Sequence, residues 1–148
     1  NSGVANWYYR KRFTNDSKLT VNLSQEYVGR IPVKVPTADD LRVFSTLVPL
    51  IRLAWRHGEE TTALFLKEVV DACMMECYFG NHMAERDLLF LNDIGQLIET
   101  IESRPTVTEQ SQFLTQLHLA LNSSSSGVRD RLRRIPFDSP DVLALMLI

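Results

Sequence analysis

From Thr37 onward the chain repeats apolar residues at three- and four-residue steps almost without a break, a spacing that favours α-helix over other structures. Leu41, Phe44, Val48, Ile51 and Trp55 set the first stripe. Val43, Leu47, Leu50 and Ala54 widen it, so this helix is expected to be buried on more than one side. Thr37-Ala38-Asp39-Asp40 puts a hydroxyl at the N-cap and carboxylates in the first turn, where the helix dipole favours them. His57-Gly58 closes the helix, with Gly58 as C-cap. Pro49 lies inside the pattern without an N–H to donate, and is expected to kink or split the helix near Ser45-Thr46.

The same reading continues to the C-terminus. A second helix is expected from Glu59 to Phe79, with Ala63, Leu66, Val70, Cys73 and Cys77 as one seam and Gly80-Asn81 as its end. A third, Met83 to Ser103, carries Asp87, Phe90, Leu91, Ile94, Leu97, Ile98 and Ile101 on one stripe. Gly95 in its interior costs about 1 kcal/mol against Ala, which suggests close approach of another backbone. Thr106 and Glu109 have the spacing of a capping box ahead of a fourth helix with Phe113, Leu114, Leu117, Ala120 and Leu121, ending at Asn122. Ser123 to Gly127 reads as a flexible loop. A short basic helix, Val128 to Ile135, follows, and then a last one with Ser139 as cap and Pro140 in the first helical position.

Residues 1–36 look different. Trp7-Tyr8-Tyr9-Arg10-Lys11-Arg12-Phe13 is aromatic and basic, Leu19 to Leu23 alternates with period two, and Arg30 to Pro36 alternates again around Pro32 and Pro36. Aromatic and β-branched residues around turn formers predict strands, the last an edge or merely extended. The expectation is a mainly α fold: an up-and-down bundle of four longer and two short helices over residues 37–148. A small N-terminal β hairpin or extended arm over residues 1–36 packs on it within one globular domain.

Charge and length limit the function classes. The net charge is −2, with an isoelectric point near 5.9, so no global field draws the whole molecule to nucleic acid or anionic membrane. The longest apolar runs, Leu47–Ala54 and Val142–Ile148, fall short of the ~20 residues that span a bilayer. Asn1-Ser2-Gly3 does not open a signal peptide, and the ends read as those of a piece cut from a longer chain. Cys73 and Cys77, four apart in an apolar segment, are read as buried thiols in a reducing intracellular compartment, cytoplasmic or nuclear.

Chemistry-bearing groups are sparse. Cys73, Cys77, His57 and His82 could supply soft metal ligands, but the thiols sit in an apolar helix and the imidazoles are single, so core thiols and no metal or cofactor are expected. The same groups offer a thiol and a base, yet nothing marks either cysteine as exposed and electropositive, as a nucleophile requires. There is no Gly-x-Ser-x-Gly elbow and no Gly-rich phosphate loop, and no small-molecule substrate suggests itself. Asp87, at the edge of an apolar stripe, is expected to pair with an arginine or lie at the rim.

The expected function is that of a non-catalytic protein–protein interaction, adaptor or assembly domain, with another protein or a second copy as partner. Trp7, Tyr8, Tyr9, Phe13, Val142, Leu145, Met146 and Ile148, with the region around Pro49, are its candidate contact residues. The alternative is a nucleic-acid-associated factor. It would use Arg10, Lys11, Arg12, Arg129, Arg131, Arg133 and Arg134, with the N-terminal aromatics stacking on bases if the two clusters meet on one face.

Overall fold

The computed structural model describes residues 3–13, 29–101 and 109–146. Within them lie seven α-helices and no strand: α1 (Gly3–Phe13), α2 (Ala38–Arg56), α3 (Glu60–Ala84), α4 (Leu91–Ile101), α5 (Gln110–Asn122), α6 (Val128–Asp138) and α7 (Pro140–Met146). A 3-10 turn, Ser124–Ser126, joins α5 to α6. Among the described residues no helix is long and apolar enough to cross a membrane.

The longest helix, α3, lies between two groups of helices. Ala63, Leu66, Val69, Ala72, Cys73 and Met75 are buried along it, whereas Val70 and Cys77 of the expected seam are only half-buried. On one side α2 packs on α3, α4 and α5; on the other α1 packs on α3 and α7, and α6 packs on α3, α5 and α7.

The ends of α2 are those its sequence predicts. Thr37 Oγ1 accepts from the Asp40 N–H at 3.2 Å, and Asp40 Oδ2 accepts from the Thr37 N–H at 3.0 Å, a reciprocal capping box. At the far end Gly58 has φ +74°, the Gly58 N–H donates to Trp55 O and the Glu59 N–H to Ala54 O. That pair of bonds is the Schellman closure, which needs a left-handed residue where glycine stands. Of the expected kink or split at Pro49, the split does not occur: the helix runs unbroken from Ala38 to Arg56. Ser45 and Pro49 are both exposed, so water can satisfy the carbonyl that proline leaves without a donor.

The buried face of α2 also differs from expectation. Val43, Leu47, Leu50 and Ala54 form the core stripe, while Leu41, Val48 and Trp55 are 52, 38 and 48 % exposed and Phe44 and Ile51 are half-buried. The two stripes lie roughly 100° apart around the axis, the turn of a single residue. Both are apolar, so periodicity alone does not choose between them.

The chain bends within α3 at Phe79 (φ −125°, ψ 34°), one residue from the break expected at Gly80, but helix resumes to Ala84. A turn at residues 85–87 closes it, so Met83 to Phe90 does not form the start of the third helix. Asp87 has φ +55°, its N–H donates to Ala84 O, and the Leu88 N–H donates to Met83 O at 2.9 Å. This is the same closure as at Gly58, with aspartate in the left-handed position that Asp tolerates better than most residues. The next helix is started by a residue of the previous one. Glu76 Oε2 on α3 accepts the N–H groups of Phe90 (2.5 Å) and Leu91 (2.9 Å), where α4 would otherwise begin with orphan donors. Gly95 meets no backbone. A β-carbon there would find only Val43 Cγ2 at 3.7 Å, an ordinary contact, which corrects the close approach its position suggested.

Two further expectations change, at Trp7 to Phe13 and at the serine run. Trp7 to Phe13 is helix, not strand: α1 docks on α3 and α7, its Gly3 N–H donates to Asp71 Oδ1 at 3.3 Å, and tertiary packing overrides the β preference of its aromatics. The trio Arg10, Lys11 and Arg12 fills its last turn, where the dipole favours cations. Residues 31–36 form neither helix nor strand, in keeping with the non-strand alternative for a segment in which Pro32 and Pro36 offer no donors; Tyr78 Oη donating to Pro32 O at 2.9 Å ties it to α3. The expected strand at Leu19 to Leu23 and the capping box at Thr106 lie outside the described residues. The serine run is a hydrogen-bonded turn rather than a loose loop. Ser123 Oγ donates to Ala120 O and Ser126 Oγ to Leu121 O, satisfying carbonyls at the end of α5.

Candidate functional site

The helices that carry the two expected contact clusters, α1 and α7, pack on one another. Tyr9 on α1 and Val142 on α7 are buried. Trp7 and Tyr8 are half-buried, their rings edge to face at 6.5 Å. The expectations placed on Phe13, Leu145, Met146 and Ile148 lie outside the described residues and side chains.

The arginines of α6 divide into two pairs. The Arg131 side chain is 15 % exposed; it bonds Asp93 Oδ2 at 2.7 Å and its guanidinium lies 5.3 Å over the Phe90 ring. Arg134 donates to Asp138 Oδ2 at 2.8 Å and to Arg86 O at 2.9 Å, and approaches Asp87 Oδ2 at 3.8 Å. Asp87 itself is an exposed rim residue. These two arginines bind α6 to the corner between α3 and α4. Arg129 and Arg133 remain exposed, Arg129 donating to Asn122 Oδ1 at 2.7 Å. Arg10, Lys11 and Arg12 on α1 are exposed too.

Part of both basic clusters meets in one place. A groove of about 1160 Å³ runs between α1, α3, α6 and α7, and Arg10, Arg129 and Arg133 all line it. Its floor is hydrocarbon from Phe65, Met75, Leu132, Ile135 and Leu143, and Lys67, Glu68 and Asp71 complete its edge. Asp71 is already engaged by Lys67 Nζ at 3.0 Å and by the Gly3 N–H. Trp7, Tyr8 and Tyr9 do not line it; Gly3, Asn6 and Arg10 are the α1 residues that do. Behind the floor, Phe65 faces the His118 ring at 5.5 Å. Partial burial holds the His118 pKa below its ordinary value, with the Arg129 charge acting the same way and Glu59 opposing.

The second surface is the outer stripe of α2, which is remote from the groove. No α2, α4 or α5 residue lines the groove. Leu41, Phe44, Val48, Ile51 and Trp55 fall on alternating three- and four-residue steps, the a/d pattern of a helix that packs along another helix. Neither surface was legible residue by residue. The sequence marks the region around Pro49 as a candidate contact, yet its periodicity reads the outer stripe as core; the groove draws on residues from 3 to 143, so no local pattern announces it.

Neither cysteine lines the groove or lies on α2. Burial drives the Cys73 thiol well above its usual pKa, and the Glu76 charge adds to this; burial likewise raises Cys77, which is half-exposed. Among the described residues no three of His, Cys, Asp and Glu are placed to hold a metal ion. His82 Nε2 lies 2.6 Å from Ser139 Oγ, a base beside a hydroxyl. Ser139 is fully buried, so the pair ties the end of α3 to the α6–α7 junction, and the hydroxyl meets no solvent from which a substrate would arrive. No protein-family model matches the chain, and neither a curated protein nor a solved structure matches it.

Proposed function

We propose that this chain is a non-catalytic interaction domain that pairs through the outer face of α2, with a second copy of itself as the partner. The observation that carries the reading is the stripe of Leu41, Val48 and Trp55, left 52, 38 and 48 % exposed along a helix whose other apolar stripe already supplies the core. A monomer gains nothing in folding from a second apolar stripe left in water, whereas a helix from another subunit would bury it. Self-association suits the charge pattern. Asp39 and Asp40 lie in the first turn of α2 and Arg52 and Arg56 near its end, so antiparallel packing sets unlike ends together and parallel packing sets like ends together.

Sedimentation across a wide concentration range tests this. The expected result is a dimer mass that Val48→Asp lowers to that of a monomer, with the helical circular dichroism of the chain kept. A chain that stays monomeric at every concentration, or a dimer indifferent to Val48→Asp and to Leu41→Asp, overturns the proposal.

A further inference from the structure

The groove on the far side of α3 is a different surface from the α2 face, and its chemistry points to a different occupant. We infer that it receives an amphipathic peptide segment whose apolar side carries carboxylates along its edge. The volume, about 1160 Å³, exceeds the roughly 300–1000 Å³ of small-molecule sites, which favours a side-chain-bearing segment over a compact metabolite. The floor of Phe65, Met75, Leu132, Ile135 and Leu143 offers hydrocarbon and no fixed hydrogen-bonding partner among these side chains, so an apolar face matches it.

The edge sets the sign of the charge. Arg10, Lys67, Arg129 and Arg133 stand against Glu68 and Asp71, an excess of two positive charges. Asp71 is engaged by Lys67 and the backbone of Gly3, which leaves Arg10 and the α6 pair, Arg129 (bonded to the neutral Asn122) and Arg133, as the exposed cations of the lining. Such a set rejects a lysine-edged peptide and accepts a glutamate-edged one. Nucleic acid fits less well. Phe65 is the one aromatic of the lining and already meets the His118 ring at 5.5 Å, and Glu68 and Asp71 would face phosphates.

Fluorescence anisotropy with three labelled probes tests the inference. One is a helical peptide with leucines at i, i+3, i+4 and i+7 and glutamates on both edges. The second carries lysine at every glutamate. The third is a single-stranded oligothymidylate. The glutamate peptide is expected to bind, the lysine peptide at least ~tenfold more weakly, and Arg129→Glu/Arg133→Glu to reverse that preference while keeping the helical circular dichroism. Val48→Asp, on the other face, is expected to leave peptide binding unchanged, so loss of dimerisation and loss of peptide binding are told apart. No binding of the glutamate peptide, equal binding of the two peptides, or tighter binding of the oligonucleotide overturns the inference, the last in favour of nucleic acid.

Discussion

Helices α2 and α6 each carry one residue type on two faces, and the fold treats the two faces differently. On α2 it is hydrocarbon: Val43, Leu47, Leu50 and Ala54 lie inside, while Leu41, Val48 and Trp55 stay half in water. On α6 it is arginine: Arg131 and Arg134 are held by Asp93, Asp138 and the backbone of Arg86, while Arg129 and Arg133 line an open groove. In both helices neighbours in sequence have opposite roles, because one step along the helix is a turn of about 100°. Composition says that a helix is greasy or basic; only its rotational setting says which of those residues are left over for a partner.

The comparison breaks most visibly in α2. Leu47→Ala, at a fully buried site, is expected to lower unfolding stability by ~2–5 kcal/mol, against less than ~1 kcal/mol for Val48→Ala in the monomer, read by urea unfolding at low protein concentration. Equal losses at 47 and 48 would mean that the outer stripe is core after all. The same contrast in α6 is smaller. Arg131→Ala removes the Asp93 bond and the Phe90 contact and is expected to cost about 1–3 kcal/mol, with Arg133→Ala within ~0.5 kcal/mol of the parent.

Two finer substitutions sharpen the picture. Gly95 faces the inner stripe of α2 through Val43 at an ordinary 3.7 Å, so Gly95→Ala is expected to raise stability by up to about 1 kcal/mol, seen as a higher Tm. A drop instead would show a tighter α2–α4 seam. The smallest effect concerns His118, whose pKa is lowered by burial and by Arg129. Above its ordinary pKa of roughly 6.5 both folded and unfolded chains hold it neutral; below that the unfolded chain takes up the proton first, so stability falls until the lower folded pKa is passed. His118→Gln is therefore expected to reduce the Tm loss between about pH 7.5 and pH 5.5, and an unchanged or larger loss would remove His118 as a contributor.

What the sequence discloses about this fold depends on how far each determinant reaches. The start of α2 is written in Thr37 and Asp40 and its end in Gly58, because caps are built from residues three to five apart. The end of α3 is equally local but is carried by Asp87 in a left-handed conformation, where a reader looks for glycine. Helix α1 is illegible for the opposite reason: the residues that make it helical, Asp71 among them, lie some 68 positions away. The groove is harder still. Lys67 and Glu68 are ordinary surface residues of a long helix until α1 and α6 bring Arg10 and Arg133 beside them.

The carboxylate of Glu76 has a practical bearing on how this chain can be dissected. It sits on one helix and supplies the first turn of another, across the sharp corner at Asp87. A cleavage or truncation at that corner would leave the second helix with two bare amide donors and the first with a buried-side acid bonded to nothing. Shorter versions of the protein made for binding studies should therefore keep residues 60–101 as one indivisible piece.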